Sequence, residues 1–155
     1  MTSPRVIAET QIPTRVDGFS VTVAAVAEET RAPRVSLTLF LPGAGPRTVY
    51  ALSPAAARRF ASALRSVLVA TEAKLERATG GSITAPVHST QLDALERVRV
   101  GVMHDNGKWF VVSQDDNIVP CLILAPLESA GTLVQALADM AAVADGKRER
   151  LEMPM

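Results

Sequence analysis

The chain has 155 residues, 48% of them hydrophobic, so it is long enough for one domain with a sizeable core and too apolar to be disordered. Its 16 Lys and Arg balance 16 Asp and Glu, which argues against a strongly basic nucleic-acid coat protein. Residues 1–80 hold ten Lys and Arg against six Asp and Glu, and residues 81–155 hold six against ten. This asymmetry allows a basic face on the first half or attraction between halves or subunits, and chance unevenness explains it equally well.

The single cysteine and the lack of long apolar runs indicate the cellular compartment to expect. The single cysteine, Cys121, lies in an apolar run, where a small buried side chain is expected and no intrachain disulfide can form. No run reaches transmembrane length, and residues 1–10 lack the apolar core of a signal peptide. A reduced cytoplasmic protein is the default expectation, and the composition rich in Ala, Arg and Val is associated with bacteria or their phages.

Four strands are predicted in the first half. Two stretches alternate apolar and polar side chains as half-buried strands do, and a polar turn at residues 28–33 separates them. A Pro-Gly loop at residues 42–46 precedes the last of the four. The predicted strands are residues 5–12, 18–27, 34–41 and 48–52.

An amphipathic helix follows these strands and ends near Arg77, before Gly80. Ser53 is a suitable N-cap, and Pro54 suits the first helical position, where its missing N–H costs nothing. Four basic side chains fall mainly on the predicted solvent side of this helix. They are Arg58, Arg59, Arg65 and Lys74.

The second half repeats part of this pattern. Residues 48–68 and residues 120–143 both read as an apolar strand, a proline corner and an amphipathic helix. In the helices, apolar positions match at an offset of 73 residues, which indicates either an internal duplication or the general likeness of strand-to-helix units. The matched positions are Ala57, Phe60, Ala61, Leu64, Val67 and Leu68 with Ala130, Leu133, Val134, Leu137, Met140 and Ala141.

A hairpin gives the clearest local signal of the second half. Asn106-Gly107 is the pair that tight hairpin turns prefer, because both central positions need positive φ. Strands are predicted at residues 97–103, 109–113 and 118–124, and a helix at residues 127–144. Residues 80–91 read as a linker or surface loop, with a short strand at residues 83–87 as the alternative.

These elements predict an α+β fold of antiparallel strands in the order ββββα-βββα, with the helices packed to one side. The first unit covers residues 1–79 and the second covers residues 97–146. Residues 80–96 join them, residues 147–155 form a charged tail, and the whole is expected to be one compact domain.

No catalytic constellation is recognisable, so no catalytic residue, metal or cofactor is predicted. The loop Gly43-Ala44-Gly45-Pro46 joins two strands and lacks the lysine of a phosphate-binding loop. His88, His104 and Cys121 do not have metal-ligand spacing, and Asp115-Asp116 is ordinary turn chemistry. An enzyme is therefore the least favoured class.

The predicted hairpin carries the one suggestive surface. Basic residues beside aromatic residues on a sheet can hold a single nucleic-acid strand, because cations contact phosphates and bases stack on rings. The predicted contact residues are Arg97, Arg99, Lys108 and Trp109. By strand alternation only one of Trp109 and Phe110 can point outward, and the alternative is one aromatic ring in the core and one that is partly covered.

Two successive units of antiparallel strands ending in one helix resemble the PUR-domain and Whirly class of proteins, which bind single-stranded nucleic acid. Residues 5–77 and 97–144 would be the two units, although the second has one strand too few and no sequence motif of the class is matched. The resemblance implies a ligand surface on the sheets and helices that mediate pairing.

Two functions are therefore expected from the sequence. The first is a non-catalytic protein that binds single-stranded nucleic acid through a sheet face. The alternative is a protein-interaction or assembly module, of phage or mobile-element origin, without nucleic-acid binding. A homo-oligomer is expected with either function, and neither involves a membrane.

Overall fold

The chain is described from a computed structural model, which places residues 5–12, 20–28, 31–41, 45–77, 88–92, 97–105, 108–115 and 122–146. These residues form two units of one layout, four strands followed by a helix. The first unit comprises β1 (Arg5–Ile12), β2 (Ser20–Glu28), β3 (Arg31–Leu41), β4 (Gly45–Leu52) and α1 (Pro54–Arg77). The second comprises β5 (His88–Gln91), β6 (Arg97–Asp105), β7 (Lys108–Asp115), β8 (Leu122–Pro126) and α2 (Leu127–Ala144).

Each unit is an antiparallel meander, in which neighbours along the chain are neighbours in the sheet. The first sheet has the order β1-β2-β3-β4 and the second the order β5-β6-β7-β8. The predicted α+β class with antiparallel sheets is confirmed. The second sheet contains one strand more than the sequence predicted, because β5 lies within the segment expected to be a linker.

Alternation decides which face of the first sheet is buried. Val21 and Val23 on β2 are fully buried opposite Leu39 and Leu37 on β3, as the period of two requires. The predicted turn at residues 28–33 is wrong in extent, because β2 reaches Glu28 and β3 begins at Arg31. Pro33 lies within β3 where the register with β2 shifts, a place where a residue without an N–H is tolerated.

Helix α1 begins and ends where the sequence predicted. The Ala56 backbone N–H donates to Ser53 Oγ over 3.1 Å, so Ser53 caps the helix before Pro54. Helix α2 also has its predicted bounds. Neither of these two described helices is long and apolar enough to cross a bilayer.

The helices exchange sheets. Helix α1 of the first unit packs mainly on β5 and β6, and α2 of the second unit packs mainly on β1, β2 and β3. The helices also pack against each other. All twelve helix positions that matched between the two halves of the sequence are buried in one shared core, as expected for the apolar side of an amphipathic helix.

Candidate nucleic-acid interface

The side chains of β6 alternate between a buried face and an exposed face of the sheet. Val98, Val100 and Val102 are buried in the shared core under the helices. The alternate residues Arg97 and Arg99 therefore point to the opposite face of the sheet, and both side chains are exposed.

The register of neighbouring strands shows what accompanies these arginines. Residues paired across antiparallel strands share a face, so each set of paired residues forms one row across the outer face. Gln91 lies opposite Arg97, and Arg99 lies between Ser89 on β5 and Gln114 on β7. We call this outer surface the arginine face. Its described side chains are Ser89, Gln91, Arg97, Arg99, Met103, Phe110, Val112, Gln114 and Pro126.

The arginine face has a polar end and an apolar end. Arg97, Arg99, Ser89 and Gln91 are exposed at the polar end. At the other end Phe110 lies opposite Met103, and both side chains are partly exposed. Arg99 and Met103 are four residues apart on β6, which separates their rows by about 13 Å at the rise of a strand.

Val112 and Gly101 form the row between these ends. The two residues pair directly, and both are buried, Val112 with 8% of its surface exposed. The exposed and partly exposed side chains of the arginine face therefore lie on either side of a buried row.

Helix α1 holds the edge of the arginine face in place. Arg59 Nε donates to the Gln91 carbonyl over 2.9 Å, and Arg59 Nη2 donates to the Leu92 carbonyl over 3.4 Å. Leu92 is buried in the shared core. Two contacts from one guanidinium therefore fix the short edge strand β5, and with it Gln91 beside Arg97.

Trp109, which the sequence placed beside the arginines, lies on the other side of the sheet. It pairs with His104, is half-buried and packs against the core. The His104 imidazole is exposed and contacts the indole, with ring centroids 4.9 Å apart and planes inclined by 49°. The structure brings Arg97 and Arg99 together and places Trp109 apart from them, and Phe110 is the ring on their face.

Lys108 completes the predicted set. It is the first residue of β7, and its backbone pairs with Asp105 at the end of β6. This pairing confirms the two-residue hairpin connection that Asn106-Gly107 predicted, although those two residues lie outside the described part of the chain. The Lys108 side chain is likewise not among those described, so its role in binding stays a prediction.

The other candidate residues from the sequence are the two histidines, Cys121 and the Asp115-Asp116 pair. Among the described residues, no three His, Cys, Asp or Glu side chains gather as metal ligands. Cys121, Asp116 and the segment 83–87, for which a short strand was the alternative, lie outside the described residues.

Comparison with known proteins adds no family to this picture. The chain matches no protein-family model and no curated protein sequence. The arginine face itself offers two exposed arginine side chains, neighbouring amide and hydroxyl groups, and one partly exposed ring.

Proposed function

We propose that the chain binds single-stranded nucleic acid on the arginine face. The observation that carries the proposal is that Arg97 and Arg99, both exposed, share one sheet face with the partly exposed ring of Phe110. Guanidinium groups bind phosphate oxygens, and an aromatic ring stacks on a base of any identity. Gln91 and Gln114 supply amides that can hydrogen-bond to base edges beside the arginines.

The spacing of the two ends suits a short strand. About 13 Å separates the row of Arg99 from the row of Phe110, which corresponds to about four nucleotides at a stacked rise of about 3.4 Å. A ligand along β6 and β7 would place phosphates on the arginines and a base on Phe110.

The strand order also supports the proposal, because β5 supplies the fourth strand that the PUR-domain and Whirly resemblance implies. Binding of this kind fits a cytoplasmic protein.

Fluorescence anisotropy of a labelled single-stranded oligonucleotide, titrated at several salt concentrations, tests the proposal. We expect affinity to fall as salt rises, because phosphates that bind arginine release counterions. Arg97→Gln and Arg99→Gln should each weaken binding and reduce the slope of log affinity against log salt by about 0.7. Phe110→Leu should weaken binding by about tenfold without changing that slope, because it removes stacking and no charge.

Arg47→Gln is the matched control. Arg47 is an exposed arginine on β4, in the other sheet, so its loss removes the same charge and leaves the arginine face intact. Equal weakening by Arg47→Gln and Arg97→Gln would show non-specific attraction and would contradict the proposal. Circular dichroism of each variant confirms that the fold is retained.

The alternative proposal is an assembly or protein-interaction module without nucleic-acid binding. It predicts no change of anisotropy at low salt for the wild-type chain. That result would end the proposal for the arginine face and leave assembly as the function to pursue.

A further inference from the structure

The solvent side of α1 carries a stripe with the spacing of a helix-pairing surface. Its residues recur at intervals of four and three, which places them along one line on an α-helix. All of them are exposed, although the opposite side of α1 is buried against the second sheet and α2. We call this the α1 stripe. It consists of Arg58, Ser62, Arg65, Val69 and Glu72.

Val69 stands out within the α1 stripe. With 62% of its surface exposed, it is one of two exposed large hydrophobic residues among those described, the other being Val6 on β1. Its neighbours Val67 and Leu68 point into the core and are buried. Covering Val69 would remove most of a valine side chain from water, which is favourable by about 25 cal/mol per Å² of apolar surface.

Charges of opposite sign flank Val69. Arg65 lies one turn before it and Glu72 three residues after it, so the two charges stand about 6 Å and about 4.5 Å away along the helix axis. Among the described residues, neither side chain has an ion-pair partner within its own chain. Arg58, near the start of α1, already forms an ion pair with Asp145 at the end of α2.

We infer that the α1 stripe is a self-association surface whose partner is a second copy of this chain, with the two α1 helices antiparallel. In this arrangement Val69 of each copy lies close to the two-fold axis. Arg65 of one copy then lies within side-chain reach of Glu72 of the other, and the symmetry forms this ion pair twice.

The same charges exclude the parallel alternative. Two parallel α1 helices in register would place Arg65 opposite Arg65 and Glu72 opposite Glu72, and such like-charge contacts are costly. Ser62, about one turn from Arg65 toward the helix start, has a side chain small enough for the backbones to approach. The stripe is therefore complementary to itself in one orientation only. It is a short surface, so the dimer is expected to be in a concentration-dependent equilibrium with the monomer.

Sedimentation velocity of the full chain over a concentration series, from low to high micromolar, tests this inference. We expect the wild type to shift from monomer to dimer across the series. Val69→Lys should remove the dimer, because two ammonium groups would meet at the axis. Arg65→Glu alone and Glu72→Arg alone should each weaken dimerisation at least about tenfold, since each turns two attractions into repulsions.

The charge-exchanged double variant is the decisive sample. Arg65→Glu combined with Glu72→Arg restores both ion pairs with reversed polarity, so its dimerisation should return to within about threefold of wild type. Val6→Lys is the matched control, because it places the same charge at the other exposed valine and should leave the dimer unchanged. All these positions are exposed, so circular dichroism should show the same helix content throughout.

Three outcomes would overturn the inference. They are a wild-type chain that stays monomeric at every concentration, a dimer that survives Val69→Lys, and a double variant no better than its single parents. The arginine face lies on the side of the second sheet away from α1. A failure of nucleic-acid binding would therefore leave dimerisation through the α1 stripe unaffected.

Discussion

At the residue scale, a buried hydrogen bond between Tyr50 and Ser113 links the two sheets. The Tyr50 hydroxyl on β4 and the Ser113 hydroxyl on β7 are 2.9 Å apart, and Ser113 is fully buried. We expect Tyr50→Phe to lower the free energy of unfolding by about 1–2 kcal/mol, because it leaves a buried hydroxyl without this partner. The edge-to-face contact of the Tyr50 ring with Phe60, at 5.2 Å between centroids, needs no hydroxyl and should persist. Urea denaturation of the variant measures the change.

A double-mutant cycle separates this bond from general effects on packing. Ser113→Ala in the Tyr50→Phe background should cost less than Ser113→Ala in the wild type, because the partner hydroxyl is already gone. Strictly additive losses would mean that the two hydroxyls do not stabilise each other.

The position of Phe110 on the arginine face can be worked out from the sequence once the turn of the hairpin is known. A two-residue turn at Asn106-Gly107 makes Asp105 pair with Lys108, and each further step outward then pairs Met103 with Phe110. Met103 is an even number of residues from Arg99, so Phe110 shares the arginine face and Trp109 does not. Composition alone does not distinguish Trp109 from Phe110, because both rings lie near the basic residues in sequence; the register of the hairpin does distinguish them.

At the element scale, a single side chain caps the start of α1. Ser53 Oγ accepts from the Ala56 N–H, one of the donors that a helix leaves without an intrahelical partner. Ser53→Ala should lower the free energy of unfolding by about 1 kcal/mol, and Ser53→Asp should retain most of the wild-type stability, because aspartate caps as well as serine. Thermal denaturation of both variants measures the difference. Equal losses for alanine and aspartate would argue against capping as the role of Ser53.

Long elements could be predicted and short ones could not. Helices α1 and α2 span many turns, so their apolar periodicity, together with Ser53 and Pro54, defines their bounds. Strand β5 has only four residues, His88–Gln91, and its local sequence resembles a loop. Its strand conformation comes from pairing with β6 and from the contacts of Arg59, which are distant in sequence. Such tertiary contacts leave no local pattern.

At the scale of the whole molecule, the exchange of helices makes the two units interdependent. The inner face of the first sheet includes Val21, Val23 and Leu37, all fully buried, and it is covered mainly by α2 of the second unit. The valines of β6 are covered in turn by α1 of the first unit. Periodicity in the sequence identifies which side of each helix is apolar, but it does not specify which sheet that side covers. The exchange was therefore not predictable from the pattern alone.

This interdependence predicts one cooperative unfolding transition for the whole chain. Leu37→Ala, a change in the first sheet, removes a fully buried side chain and should cost about 2–5 kcal/mol. Trp109 is the only tryptophan and lies in the second unit, so its fluorescence reports on the half that was not altered. We expect its denaturation midpoint to fall by the same amount as the midpoint from circular dichroism, which reports on both units.

The control for this experiment is Val6→Ala, which truncates an exposed residue of β1 outside the α1 stripe and should move neither midpoint appreciably. If Leu37→Ala shifted the circular dichroism transition while the Trp109 transition stayed at its wild-type position, the second unit would be stable without the first. Because α1 covers the valines of β6 and α2 covers Val21 and Leu37, neither sheet can lose its partner helix and keep its inner face out of water. Coincident transitions are therefore the outcome that the shared core requires.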